Sequence, residues 1–197
     1  MVKKRCFLSA LAVMLAFETA DVQALDLKQY DGYVQQKKYR AALSILKDET
    51  SNLVNQLNDS LKKAFPKSTS VWSQAPASPF DDEMGLHSSG MMASIMYSGK
   101  TPEQTLSVSL LVDHPDIEQY EGMIKSPPQS EGIKPLKIKD GSLGIQKYDS
   151  VSKTAEVNIL VGNQMLLNVV GTDIRSVQEV TDFVEAVDLK LIRNLLN

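Results

Sequence analysis

The chain has 197 residues, 43% apolar, 23% charged and 6% aromatic, the mix of one ordinary packed domain rather than a disordered chain or a multidomain enzyme. Its 21 Lys and Arg stand against 24 Asp and Glu, so no basic field exists to hold nucleic acid. Neither this composition nor any motif in the chain specifies a reaction.

Residues 1–24 read as a cleavable export signal. Lys3, Lys4 and Arg5 make the positive start, residues 6–17 are mostly apolar, and Val22-Gln23-Ala24 puts small residues at a cleavage point. The apolar run falls short of the roughly 20 residues a spanning helix needs and runs into Glu18 and Asp21, which argues against a retained anchor. Cys6 follows the basic residues instead of sitting at the cleavage point, so no lipid attachment is expected. Cleavage would remove the one cysteine, and with it any disulfide, thiolate nucleophile or thiolate metal site. The expected compartment is a Gram-negative periplasm.

Residues 25–65 form an N-terminal helical segment, with strong helix formers and no proline until Pro66. Leu43, Leu46, Leu53, Leu57, Leu61 and Phe65 fall near one stripe that should pack on something, with a break expected near Lys37-Lys38. The stretch from Gly32-Tyr33 to Ala42-Leu43 faintly resembles a tetratricopeptide helix junction. A single copy cannot stack, so a helical hairpin is the reading. Residues 66–90, rich in Pro, Ser and Ala and carrying Asp81-Asp82-Glu83, read as a linker with short extended pieces around Trp72.

Residues 91–197 read as a sheet-and-helix domain packed with the helical segment. Met91, Ala93, Ile95 and Tyr97 alternate with their neighbours, as do Leu106, Val108, Leu110 and Val112, which predicts two strands around Gly99-Lys100-Thr101-Pro102. A short helix should open at Pro115 and end by Ser126. Asp140-Gly141 predicts a two-residue hairpin with Leu136 opposite Ile145 and Ile138 opposite Leu143. Gly162-Asn163 predicts another, with Ile159 opposite Leu166, Val157 opposite Asn168 and Leu160 opposite Met165. Both faces of that second pair are apolar, which suggests a central, doubly covered position. Ser176-Val177-Gln178-Glu179 has the pattern of a capping box before a final helix, and Asp188 is placed to cap a second turn. The fold class is therefore α+β: a mostly antiparallel sheet of about six strands with helices on both faces, preceded by the helical segment.

Three stretches carry a resemblance. They are Pro66 followed by Trp72; the run Thr105-Leu106-Ser107-Val108-Ser109-Leu110-Leu111-Val112-Asp113-His114-Pro115; and the block Glu156-Val157-Asn158-Ile159-Leu160-Val161-Gly162-Asn163 with Ala186-Val187-Asp188-Leu189. Their order resembles an uncharacterised family of exported bacterial proteins and, more distantly, the PsbP-like and DcrB-like architecture. The resemblance implies a docking or accessory role and no catalytic residue.

Candidate site residues are few. Met84, His87, Met92 and Met96 are soft ligands close in sequence, of the kind that bind Cu(I); methionine is equally ordinary core filler. Trp72 is either a partner-binding aromatic or a plug for the core. Lys134, Lys137 and Lys139 either dock a partner or protect a strand edge from pairing. His114 with Asp113 is the one pair a hydrolase could use, though a local helix cap is the plainer role. No cofactor is implied. The leading expectation is a non-catalytic periplasmic binding or accessory protein whose partner is another envelope protein. A Cu(I)-binding protein and a small hydrolase are the alternatives.

Overall fold

A computed structural model describes residues 27–75, 85–87, 90–128 and 132–196. The proposed export signal and Met84 lie outside the described residues. The chain divides into two compact units, Met1–Glu49 and Thr50–Asn197, with the division inside the second helix rather than at residue 65.

In the first unit, helix α1 (Leu27–Gln35) ends at the expected break and α2 (Tyr39–Leu61) begins beyond it. Lys37 adopts φ 58°, its N–H donates to the Val34 carbonyl, and Lys38 N–H reaches back to Tyr33. That is the paired bonding by which a left-handed residue closes a helix, here made by lysine where glycine is usual. The leucine stripe does not pack as one. Leu61 and Phe65 are buried and Leu57 is partly covered, while Leu43 and Leu53 are 65% and 58% exposed.

The second unit is built on an open antiparallel sheet. Its strands are β1 (Ser73–Gln74), β2 (Gly85–His87), β3 (Gly90–Ser98), β4 (Thr105–Val112), β5 (Ile133–Lys137), β6 (Leu143–Asp149), β7 (Thr154–Leu160) and β8 (Met165–Thr172). The order is β1-β3-β4-β8-β7-β6-β5, with β2 sharing the outer edge of β3. The strand count thus exceeds the expected six, because two short pieces of the supposed linker join the sheet. Strands β7 and β8 are central, as their two apolar faces suggested.

One face carries the main core. Ile95, Tyr97, Leu106, Leu110, Val157, Ile159, Leu167 and Val169 pack under α4 (Val177–Glu185), α5 (Leu189–Leu196), the end of α2 and a 3-10 turn at Lys62–Ala64. Trp72 is 1% exposed in this core and its indole N–H donates to the Glu179 carbonyl. It is the core plug and has no surface left to offer a partner. Tyr97 meets Phe183 edge-on at 4.7 Å and donates its hydroxyl to the Pro66 carbonyl; burial pushes its phenol far above the usual tyrosine range. Asp188 accepts the Leu191 N–H and caps α5 as expected. The capping box does not form: the Ser176 side chain makes no cap bond, and Glu179 accepts the Arg175 N–H and the Gln104 amide instead.

Both hairpins differ by one residue from the predicted register. Leu136 pairs with Gly144 and Pro135 with Ile145; Leu160 pairs with Leu166, Ile159 with Leu167 and Asn158 with Asn168. Each loop holds three residues, closed by Ile138 N–H to Ser142 and by Val161 N–H to Met165. Gly141 (φ 90°) and Gly162 (φ 70°) supply the left-handed residue that a three-residue hairpin uses. A one-residue slip moves side chains to the opposite face. Ile145 therefore leaves the predicted company of Leu136 and Ile138 for the second face, and Leu143 is 53% exposed.

Candidate functional site

The second face of the sheet is divided. At one end α3 (Asp116–Lys125) lays Ile117 and Ile124 over Ile145 and Leu166, with Tyr120, Met123 and Ile133 at the margin. Beyond that cover the strands present polar side chains, because the residues between the core-facing ones on β3, β4, β7 and β8 are largely Ser, Thr and Asn. Backbone pairing lines them up: Ser94 lies opposite Ser109, Ser109 opposite Asn168, and Asn168 opposite Asn158. Two rows along the same face the Thr105 and Thr172 hydroxyls bond at 2.5 Å.

Glu156 stands where the apolar and polar halves meet. Its Oε1 accepts the side-chain amides of Asn158 at 2.8 Å and Asn168 at 3.1 Å, and Asn168 also donates to the Asn158 side-chain oxygen Oδ1 at 2.7 Å. Asn158 is 3% exposed, so the carboxylate rests on a rigid amide pair. Among the described residues no cation lies within ion-pair distance of Glu156. Lys147, its register neighbour on β6, is exposed and forms no such pair.

Two hollows meet at this carboxylate. One, of about 160 Å³, lies between α3 and the sheet and is lined by Tyr120, Met123, Ile133, Ile145, Lys147, Glu156 and Asn158. The other, of about 230 Å³, continues over Lys147, Asp149, Thr154, Glu156 and Val170. Burial, then the charges of Glu156 and Asp116, raise the Tyr120 phenol above its ordinary value, so it stays a neutral O–H donor beside the carboxylate. Asp149 is committed to its turn: N–H groups of Val151 and Ser152 bond its carboxylate and lower its pKa.

The residues singled out in the sequence lie elsewhere. His114 Nδ1 accepts the Asp116 N–H at 3.3 Å, with the Asp116 carboxylate 3.5 Å away, so the imidazole serves the first turn of α3. Asp113, at φ 52°, donates its N–H to Gln164. His87 ends β2 opposite Gly90, at the end of the sheet where β4 gives way to Asp113-His114. Met92 pairs with Leu111 and Met96 with Ser107. Among the described residues no group of three or more His, Cys, Asp or Glu is placed to hold a metal ion. Lys134, Lys137 and Lys139 are exposed along or just beyond the edge strand β5, and Lys139 lies 3.7 Å from Glu185.

The residues that do converge are not among the candidate site residues of the sequence, although one signal of them is present there. Thr154, Glu156 and Asn158 are polar at alternate positions of β7, and Asn168 is the matching polar residue inside β8. Among the described residues no helix is long and apolar enough to cross a membrane. No family model, curated protein or solved structure matches this chain.

Proposed function

We propose that the chain is an exported, non-catalytic binding or accessory protein of the periplasm, and that its ligand, most simply a group on another envelope protein, enters the hollow between α3 and the sheet. The observation that supports this is the half-buried Glu156 carboxylate, held on one oxygen by two asparagine amides and faced by an apolar wall. A pre-oriented polar group within a mostly apolar concavity is the general form of a recognition site. The export pattern of residues 1–24 and the PsbP-like and DcrB-like resemblance point the same way.

Site-specific photocrosslinking tests it. A photoreactive residue at Met123 should yield one discrete adduct in envelope preparations, absent when the probe stands at Val151 and lost on Glu156→Gln. Equal labelling from both positions would refute the site. Turnover of a substrate by the purified protein, abolished by His114→Ala, would refute the non-catalytic reading. Fractionation should recover a periplasmic protein beginning at Leu25; an uncleaved cytoplasmic product would refute export.

A further inference from the structure

We infer that the group recognised at this site is a single ammonium or guanidinium carried on an aliphatic stem. The inference rests on the reading of the α3 hollow as the binding site and adds the chemical class of what it takes. Three observations carry it.

The first is charge. Glu156 Oε1 already accepts two amides, while among the described residues Oε2 accepts no bond and no cation pairs with the carboxylate. A half-buried carboxylate with one oxygen spare is best completed by an N–H-bearing cation, since charge-assisted bonds are roughly twice as strong as neutral ones. Lys147, opposite Glu156 in the β6–β7 ladder, lines both hollows with an exposed side chain that makes no ion pair with Glu156, and its charge acts on Asp149.

The second is the wall. Met123, Ile133 and Ile145 line the same hollow, so a ligand that seats its charge on Glu156 lays its next few atoms along apolar surface. An alkyl stem gains from that contact and a polar chain does not. The Tyr120 ring borders the same space, and its neutral phenol offers an aromatic face and a hydroxyl oxygen to a cation.

The third is size. The apolar side of the carboxylate, under α3, offers about 160 Å³, with the neighbouring hollow of about 230 Å³ opening beyond Glu156, so the part that closes on apolar wall is well below the roughly 300–1,000 Å³ of sites that enclose a drug-sized ligand. It suits one side chain or a small amine, and lysine or arginine of a partner protein has the required form.

The test uses the purified chain beginning at residue 25 and nuclear magnetic resonance titration of the Asn158 and Asn168 side-chain amides. The probes are butylammonium, butylguanidinium, 1-butanol, butyrate and two capped tripeptides, Gly-Lys-Gly and Gly-norleucine-Gly. The cationic probes should saturate with at least about tenfold higher affinity than the alcohol and the acid, and Glu156→Gln should cut that affinity about tenfold. Glu156→Gln keeps an amide oxygen to accept both asparagines, and a native spectrum elsewhere verifies its fold. Met123→Ala should reduce the advantage of butylammonium over methylammonium, reporting the stem contact independently of charge. Tighter binding of the lysine tripeptide than of butylammonium would assign the group to a protein partner, and equal binding to a free amine; both support the cationic class. Butanol binding as tightly as butylammonium, or a Glu156→Gln protein that keeps full affinity, would overturn the inference and leave the hollow a binding site. If no probe at saturating concentration perturbs Tyr120, Ile145 or the two asparagines, the inference and the site both fall.

Discussion

Asn158 and Asn168 face each other across the β7–β8 ladder, joined side chain to side chain at 2.7 Å, and both amides donate to one oxygen of Glu156. This triad puts three polar side chains in the middle of the sheet, on the face opposite the main core. Burying such groups is tolerable only when each is bonded. Asn158→Ala leaves Glu156 and Asn168 each short of a partner and should lower stability by about 1–3 kcal/mol in urea unfolding. The double variant Asn158→Ala/Asn168→Ala should cost less than the sum of the two single changes, because either change alone already breaks the shared network.

Gly144 admits no side chain. A Cβ there would fall against the Asn158 carbonyl and the Ile159 side chain, and the carbonyl belongs to the ladder and cannot yield. Gly144→Ala should destabilise by about 2–4 kcal/mol in thermal or urea unfolding and shift β6 away from β7. An unchanged unfolding midpoint would mean that the two strands do not approach as described.

Asp140 ties the β5–β6 loop to α5. Partial burial raises its pKa, but the Ser142 N–H and hydroxyl and the Arg193 guanidinium, 2.7 Å away, outweigh that and lower it. A carboxylate lowered on folding adds stability above its unfolded pKa of about 3.9 and loses it as pH falls through the folded value. Asp140→Asn should therefore cost about 1 kcal/mol at pH 7 and progressively less below about pH 4, where the wild-type carboxylate is itself protonated. Chemical unfolding at pH 7, 5 and 3 measures the convergence.

The lysines of β5 have a role that needs no partner. Lys134 and Lys137 lie on an edge strand whose unpaired backbone could template another chain, and charged side chains, like Pro135 in the same strand, discourage that. Lys134→Thr/Lys137→Thr should increase self-association, read as a concentration-dependent rise in scattering with little change in unfolding midpoint. A monodisperse double variant would return these lysines to the candidate docking residues.

Local pattern, read alone, determined most of the architecture: the α+β class, the alternation of β3 and β4, the helix break at Lys37-Lys38, α3 after Pro115 and the Asp188 cap. Each rests on residues a few positions apart, so periodicity and capping chemistry suffice. Only the folded structure decided the register of the two hairpins, because Gly141 and Gly162 are equally compatible with two-residue and three-residue loops and the choice depends on which side chains the packed sheet can bury. That one residue separates Asn158 facing Leu167 from Asn158 facing Asn168, and so decides whether Glu156 finds two donors. The matching shift in the β5–β6 hairpin turned Ile145 toward α3, where it forms the apolar wall, and the packing of α3 on the sheet brought Tyr120 beside a carboxylate 36 positions away in the chain. A polar residue in an apolar strand is visible in sequence; its partner is chosen by long-range pairing, which no local period records.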